Sequence, residues 1–144
     1  LYIHEGYDWI ASLVVCLILF ILGGIPQLIL HRNYYEVNKG DVLTCDTTSK
    51  VMRFIHEGRE WVFSMDDIDE VMIYKTPPYN KITIWSNYNY ATIKLHTGMK
   101  IIILSMMKGD DVETLIDEYK VDEYKIDVDE RFFPRVYGPC VVPA

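Results

Sequence analysis

Residues 10–30 read Ile-Ala-Ser-Leu-Val-Val-Cys-Leu-Ile-Leu-Phe-Ile-Leu-Gly-Gly-Ile-Pro-Gln-Leu-Ile-Leu, and not one formal charge falls among them. As an α-helix that stretch is about 30 Å long, the thickness of a bilayer's hydrocarbon core. A helix buried in a soluble core would carry a polar face, and this one has none. A cleavable signal peptide would want a basic start and a shorter apolar run. The flank here instead offers Glu5 and Asp8. The reading is a retained transmembrane helix.

The flanks orient it. Acids precede the segment, while His31 and Arg32 follow it. The positive-inside rule then places the C-terminal part in the cytoplasm. Tyr7 and Trp9 at one end, and Tyr34 and Tyr35 at the other, suit the two interfacial aromatic belts. Gly23, Gly24 and Pro26 fall in its second half, where a proline removes a backbone donor and predicts a kink near Leu22. The two glycines could also form a helix-packing surface. The chain starts at Leu1, so an upstream segment is expected, with residues 1–9 an outer loop or the end of a preceding helix.

The remaining residues are enough for one small domain. Residues 33–108 carry nine acids and nine bases, whereas residues 109–144 carry ten acids against four bases. A neutral body with an acidic end argues against nucleic acid, which needs a clustered basic surface. Cys16, Cys45 and Cys140 are too far apart for a zinc knuckle or a redox pair, and isolated thiols fit a reducing compartment.

From Asn33 onward, short runs of β-branched and aromatic residues alternate with turn signals. Strands are predicted at 34–38, 41–46, 50–56, 60–64, 69–74, 81–85, 90–96 and 99–104. Glu57-Gly58 and Thr97-Gly98 serve as tight turns, and Pro77-Pro78 breaks the pattern. Ile101 to Leu104 are apolar on both faces, so that strand should be well covered. One helix follows at 110–120: Asp110 is a candidate N-cap, and Val112, Leu115, Ile116 and Tyr119 form one stripe. Residues 121–144 read as an acidic, Pro-containing tail in which Val121, Tyr124, Ile126 and Val128 could extend the helix or form a strand.

A helical anchor, about seven short strands and an amphipathic helix resemble the bacterial pleckstrin-homology-like domains that follow membrane helices. The residues that carry the resemblance are Tyr34-Tyr35-Glu36-Val37 with Gly40, the Met65 to Val71 segment, Ala91 to Leu95 with Thr97-Gly98, Ile101 to Leu104, and Val112 to Tyr119. They span roughly residues 30–120. The resemblance implies a mainly-β barrel or sandwich over residues 33–120, closed at one end by the helix, that binds or scaffolds rather than catalyses. It also implies residence at the inner face of a bacterial membrane.

Candidate sites are few. Relatives of the fold bind inositol phosphates through basic residues, for which only Lys39, Lys50, Arg53 and Arg59 are available, with acids interspersed. Asp66, Asp67, Asp69 and Glu70 lack the glycine and spacing of a calcium loop. No motif for a nucleophile, a phosphate loop or a paired-histidine metal site is present. A dispersed site of Asp46, His56 and Ser64 is the weakest alternative. Tyr79, Trp85, Tyr88 and Tyr90 crowd one hairpin, where they fill the core or contact a partner or the bilayer. The reading is a non-catalytic module for protein assembly or self-association, bound to lipid through residues 10–30. It needs no cofactor, metal or small-molecule substrate. The alternative is a lipid-sensing module whose hairpin at 77–90 lies on the bilayer.

Overall fold

The N-terminal helix does not stop at the end of the apolar stretch. In the computed structural model of the chain, α1 (Glu5–Leu19), a π-helical turn (Phe20–Gly24) and α2 (Ile25–Val37) run on as one helix. The structure describes residues 5–46, 48–77, 85–107, 112–118, 121–122 and 125–144. The expected strand at 34–38 is therefore corrected to helix. The physical reason is packing: Leu30, Tyr34 and Val37 recur at i, i+4 and i+7 and turn one face into the domain, with Leu30 and Tyr34 both 0% exposed. Burial along that stripe outweighs the strand preference of Tyr and Val.

The irregularity in the helix is local. Ile25 donates its backbone N–H to the Phe20 carbonyl, the longer i→i−5 bond of a π turn. Pro26, with no N–H to give, then stands in the first turn of α2. A Cβ on Gly24 would lie 2.8 Å from the Phe20 ring, so glycine lets that ring fold back over the helix.

The strands form two sheets. One is β1 (Val42–Asp46), β2 (Val51–His56) and β3 (Arg59–Ser64), in the order β1-β2-β3. The other holds β4 (Ile68–Lys75), β5 (Tyr90–Leu95), β6 (Lys100–Leu104), β7 (Ile126–Glu130) and β8 (Val141–Val142), in the order β7-β4-β5-β6-β8. The barrel is thus corrected to two open sheets: among the described residues no ladder closes one onto the other. The chain changes sheet at Met65–Asp67, a single 3-10 turn. There the Ser64 hydroxyl accepts from the Asp66 N–H and the Asp67 carboxylate accepts from the Ser64 N–H. This capping box ends β3 and re-aims the chain into β4.

A register shift between Ile68 and Glu70 is a bulge in β4. It lets Ile68 and Val71, three apart, both enter the core. Glu57 and Gly58 take φ of 48° and 76°, the paired left-handed conformation of a tight hairpin turn. Ile101 to Leu104 are all buried in β6, with β5 on one side and β8 on the other.

Residues 121–144 supply β7 and β8. β7 runs parallel to β4, Val71 facing Ile126, so β7 and β8 add to the sheet beyond the last strand predicted, at 99–104. α3 (Val112–Glu118) buries Val112 and Ile116, and the Val112 N–H donates to Asn89 Oδ1 at 3.1 Å. The N-cap expected at Asp110 and the strand expected at 81–85, apart from Trp85, lie outside the described residues.

Candidate functional site

The described contacts of the helix with the domain gather in one place, where α2 meets the β4–β5 connection and the segment between β7 and β8. Tyr34 donates its hydroxyl to the Pro134 carbonyl at 2.8 Å. Asn33 grips the Val136 backbone twice: its Nδ2 donates to the carbonyl at 3.1 Å, and its Oδ1 accepts from the N–H at 2.9 Å. That pair copies a β-bridge with a side-chain amide. His31 Nδ1 lies 3.3 Å from the Tyr88 hydroxyl.

Aromatic rings fill the space between these bonds. Tyr34 meets Tyr88 edge-on at 5.2 Å between centroids and Tyr90 at 6.4 Å. Tyr90 stacks on Tyr74 at 4.5 Å, and the Arg131 guanidinium sits 4.2 Å from the Tyr74 ring centre. Burial pushes the Tyr90 hydroxyl up to about 12, with nearby Arg131 opposing the shift. Trp85 donates its indole N–H to the Phe132 carbonyl at 2.9 Å and meets the Phe132 and Phe133 rings edge-on.

Three of the four expected aromatics therefore converge: Trp85, Tyr88 and Tyr90 all lie at the helix–domain junction, while Tyr79 lies outside the described residues. Trp85 and Tyr90 are buried, and Tyr88 packs partly buried against the same core. The exposed ring of the group is Phe132, at 58%. With Trp85, Phe133, Leu22, Pro26 and Ile29 it lines an apolar groove of about 440 Å³ against the helix. Pro26 thus faces this groove, while Gly23 and Gly24 are half-buried in the π turn above it. Phe132, Phe133 and Asn33 escaped the sequence reading. Tyr34, expected in an interfacial aromatic belt, is corrected to a core residue, because its ring is 0% exposed and its hydroxyl is held by the Pro134 carbonyl. The 30-34-37 spacing was a usable signal for it.

The basic residues do not gather. Lys50 sits just before β2 and Arg59 opens β3 opposite His56, so the length of β2, roughly 17 Å, separates them. Arg53 pairs with Glu60 at 3.1 Å, and Lys39 stands in the turn after α2. Two of the acids at 66–70 are committed: Asp67 caps, and Asp69 holds Lys94 at 2.7 Å. That bond keeps the Asp69 carboxyl below the usual carboxylate range.

The dispersed trio does not assemble either. Asp46 accepts from the Ser49 hydroxyl at 2.7 Å, and Ser64 caps the 3-10 turn. Both lie beside Val51, at the far end of β2 from His56. His56 instead meets Asp41, Nδ1 to Oδ1 at 2.7 Å, and Cys140 Sγ lies 3.2 Å from Asp41 Oδ2. Burial, with the Asp41 carboxylate, pushes the Cys140 thiol up. Asp41 and Cys140 are 99 positions apart, and no local pattern announces their meeting.

A family model described as PH domain matches residues 1–113, a span that takes in the N-terminal helix and β1 to β6. No curated protein matches the chain, and no solved structure does.

Proposed function

The chain belongs to the PH-domain family, and from that premise we propose that it is a bilayer-tethered, non-catalytic PH module that assembles protein partners at the inner face of a membrane. The observation that carries the reading is the continuity of the helix. Trp9 is 62% exposed, Leu13 56% and Leu22 64%, yet from Leu30 onward one face of the same helix, Leu30 and Tyr34, is fully buried in the domain. Such an apolar surface, open on all sides, is not left in water. A lipid bilayer covers it along its whole length, as its composition and length allow.

The absence of a flexible linker has a mechanical consequence. Tyr34 and Asn33 lock α2 to the domain, so the domain cannot tumble freely on a leash. The membrane then sets its orientation, and Phe132 and the apolar groove lie beside the segment that leaves the lipid. A fixed face, held close to the bilayer, raises the effective concentration for any partner anchored in the same membrane. Weak contacts then suffice.

Headgroup sensing is the second reading. The scattering of Lys50, Arg53 and Arg59 and the Arg53–Glu60 pair weigh against it. Purification of the intact membrane form in mild detergent tests the choice. Protein neighbours that stay bound at high ionic strength, and that are lost from the helix alone, are expected. Recovery of lipid without protein would overturn the assembly reading in favour of lipid sensing.

A further inference from the structure

We propose that Asp41, His56 and Cys140 form a binding site for a zinc-like divalent transition metal, which clamps the two sheets and the C-terminal segment together. Asp41 lies in the turn between α2 and β1, His56 ends β2, and Cys140 precedes β8. Their donor atoms all fall within 4.8 Å of one another. Nitrogen, carboxylate oxygen and sulfur together are the donor set of a borderline-soft ion such as Zn²⁺, and not of Mg²⁺ or Ca²⁺.

The Asp41 side chain is 0% exposed, and a buried carboxylate needs compensation. Its two oxygens are divided between the imidazole at 2.7 Å and the thiol at 3.2 Å. The thiol has a single proton, yet Cys140 Sγ also lies 3.2 Å from the Ile102 carbonyl. One of those two oxygens therefore faces sulfur without a hydrogen between them.

A divalent ion resolves this arrangement. Loss of the thiol proton to solvent leaves carboxylate and thiolate, whose two negative charges balance the ion, with neutral imidazole as third donor. Metal bonds of about 2.0–2.3 Å place tetrahedral donors about 3.2–3.6 Å apart, so the Asp41–His56 pair must open by about half an ångström. The His56 side chain, 20% exposed, leaves the fourth position on the solvent side, where water completes the shell.

The full-length chain in detergent, stripped with chelator, is titrated with Co²⁺ and then with Zn²⁺. One equivalent of Co²⁺ should give a sulfur-to-cobalt charge-transfer band that Zn²⁺ abolishes, and Zn²⁺ should raise the thermal midpoint. Cys140→Ser is the decisive variant, because a hydroxyl can still donate to Asp41 but supplies no sulfur. The band should vanish and zinc affinity fall by about tenfold or more, whereas the Cys16→Ser/Cys45→Ser double variant keeps both. His56→Gln, at the most accessible of the three positions, keeps the sulfur but should lower zinc affinity by a similar factor, and serves if Cys140→Ser fails to fold. No band in the wild-type chain, or a band and zinc affinity unchanged in both variants, means a hydrogen-bonded tie only and overturns the proposal.

Discussion

Replacing Tyr34 separates a helix that is part of the domain from one that merely precedes it. The side chain is 0% exposed and donates to the Pro134 carbonyl. Truncating a buried aromatic to alanine costs about 3–5 kcal/mol. A lost buried hydrogen bond adds about 1 kcal/mol. Tyr34→Ala should therefore destabilise the domain by about 4 kcal/mol or more, close to a thousandfold in the folded-to-unfolded ratio. Tyr34→Phe keeps the ring and should cost about 1–2 kcal/mol, the penalty of the orphaned carbonyl. Tyr35, one residue on but 56% exposed, is the control: its alanine variant should stay within about 0.5 kcal/mol of wild type. The assay is urea unfolding of the full chain in a mild detergent, followed by tryptophan fluorescence. Equal effects at Tyr34 and Tyr35 would refute the claim that α2 belongs to the core.

Other positions carry independent tests. Ser64→Ala removes half of the capping box at the sheet crossover and should cost about 1 kcal/mol, read as a lower urea midpoint. Gly98 has φ +89° and a Cβ there would meet Ala144 at an ordinary 3.5 Å, so Gly98→Ala should lose about 1 kcal/mol through backbone strain alone. Tyr90 has its hydroxyl raised from 10.0 to about 12, so the folded state holds its proton longer than the unfolded chain does. Its contribution is complete below pH 10 and is lost as pH climbs through 12; Tyr90→Phe should flatten that part of the stability profile. Exchanging Lys50 and Arg53 for Gln should leave binding to vesicles containing anionic lipid unchanged, as measured by co-flotation.

The local rules were legible. Glu57-Gly58 and Thr97-Gly98 mark their turns because left-handed backbone favours glycine: φ is 76° at Gly58 and 89° at Gly98. The apolar run at 10–30 stands out because no formal charge interrupts it. What escaped the sequence is what distance along the chain hides. Tyr34 and Val37 have strand-favouring side chains, and their helical role emerges only once Leu30 is seen to share their face. β7 is acidic at Asp127, Asp129 and Glu130, so it resembled a tail. It pairs through its backbone, parallel to β4, and an edge strand carries charge readily. The aromatic hairpin was visible as a crowd of rings, but Trp85 and Tyr90 turned out to hold Phe132 and Tyr34 rather than to face outward. Asp41, His56 and Cys140 come from three separate segments, so only the folded chain brings them into contact.

The central claim is that lipid covers the exposed apolar surface of the helix that precedes Leu30, and Cys16 is a natural reporter within it. It is exposed on the helix, whereas Cys140 is buried. A membrane-impermeant maleimide is applied to intact membranes and then after denaturing detergent, and modification of the Cys16 peptide is read by mass spectrometry. The account predicts no modification of Cys16 until the bilayer is dissolved. Equal labelling before and after would contradict it.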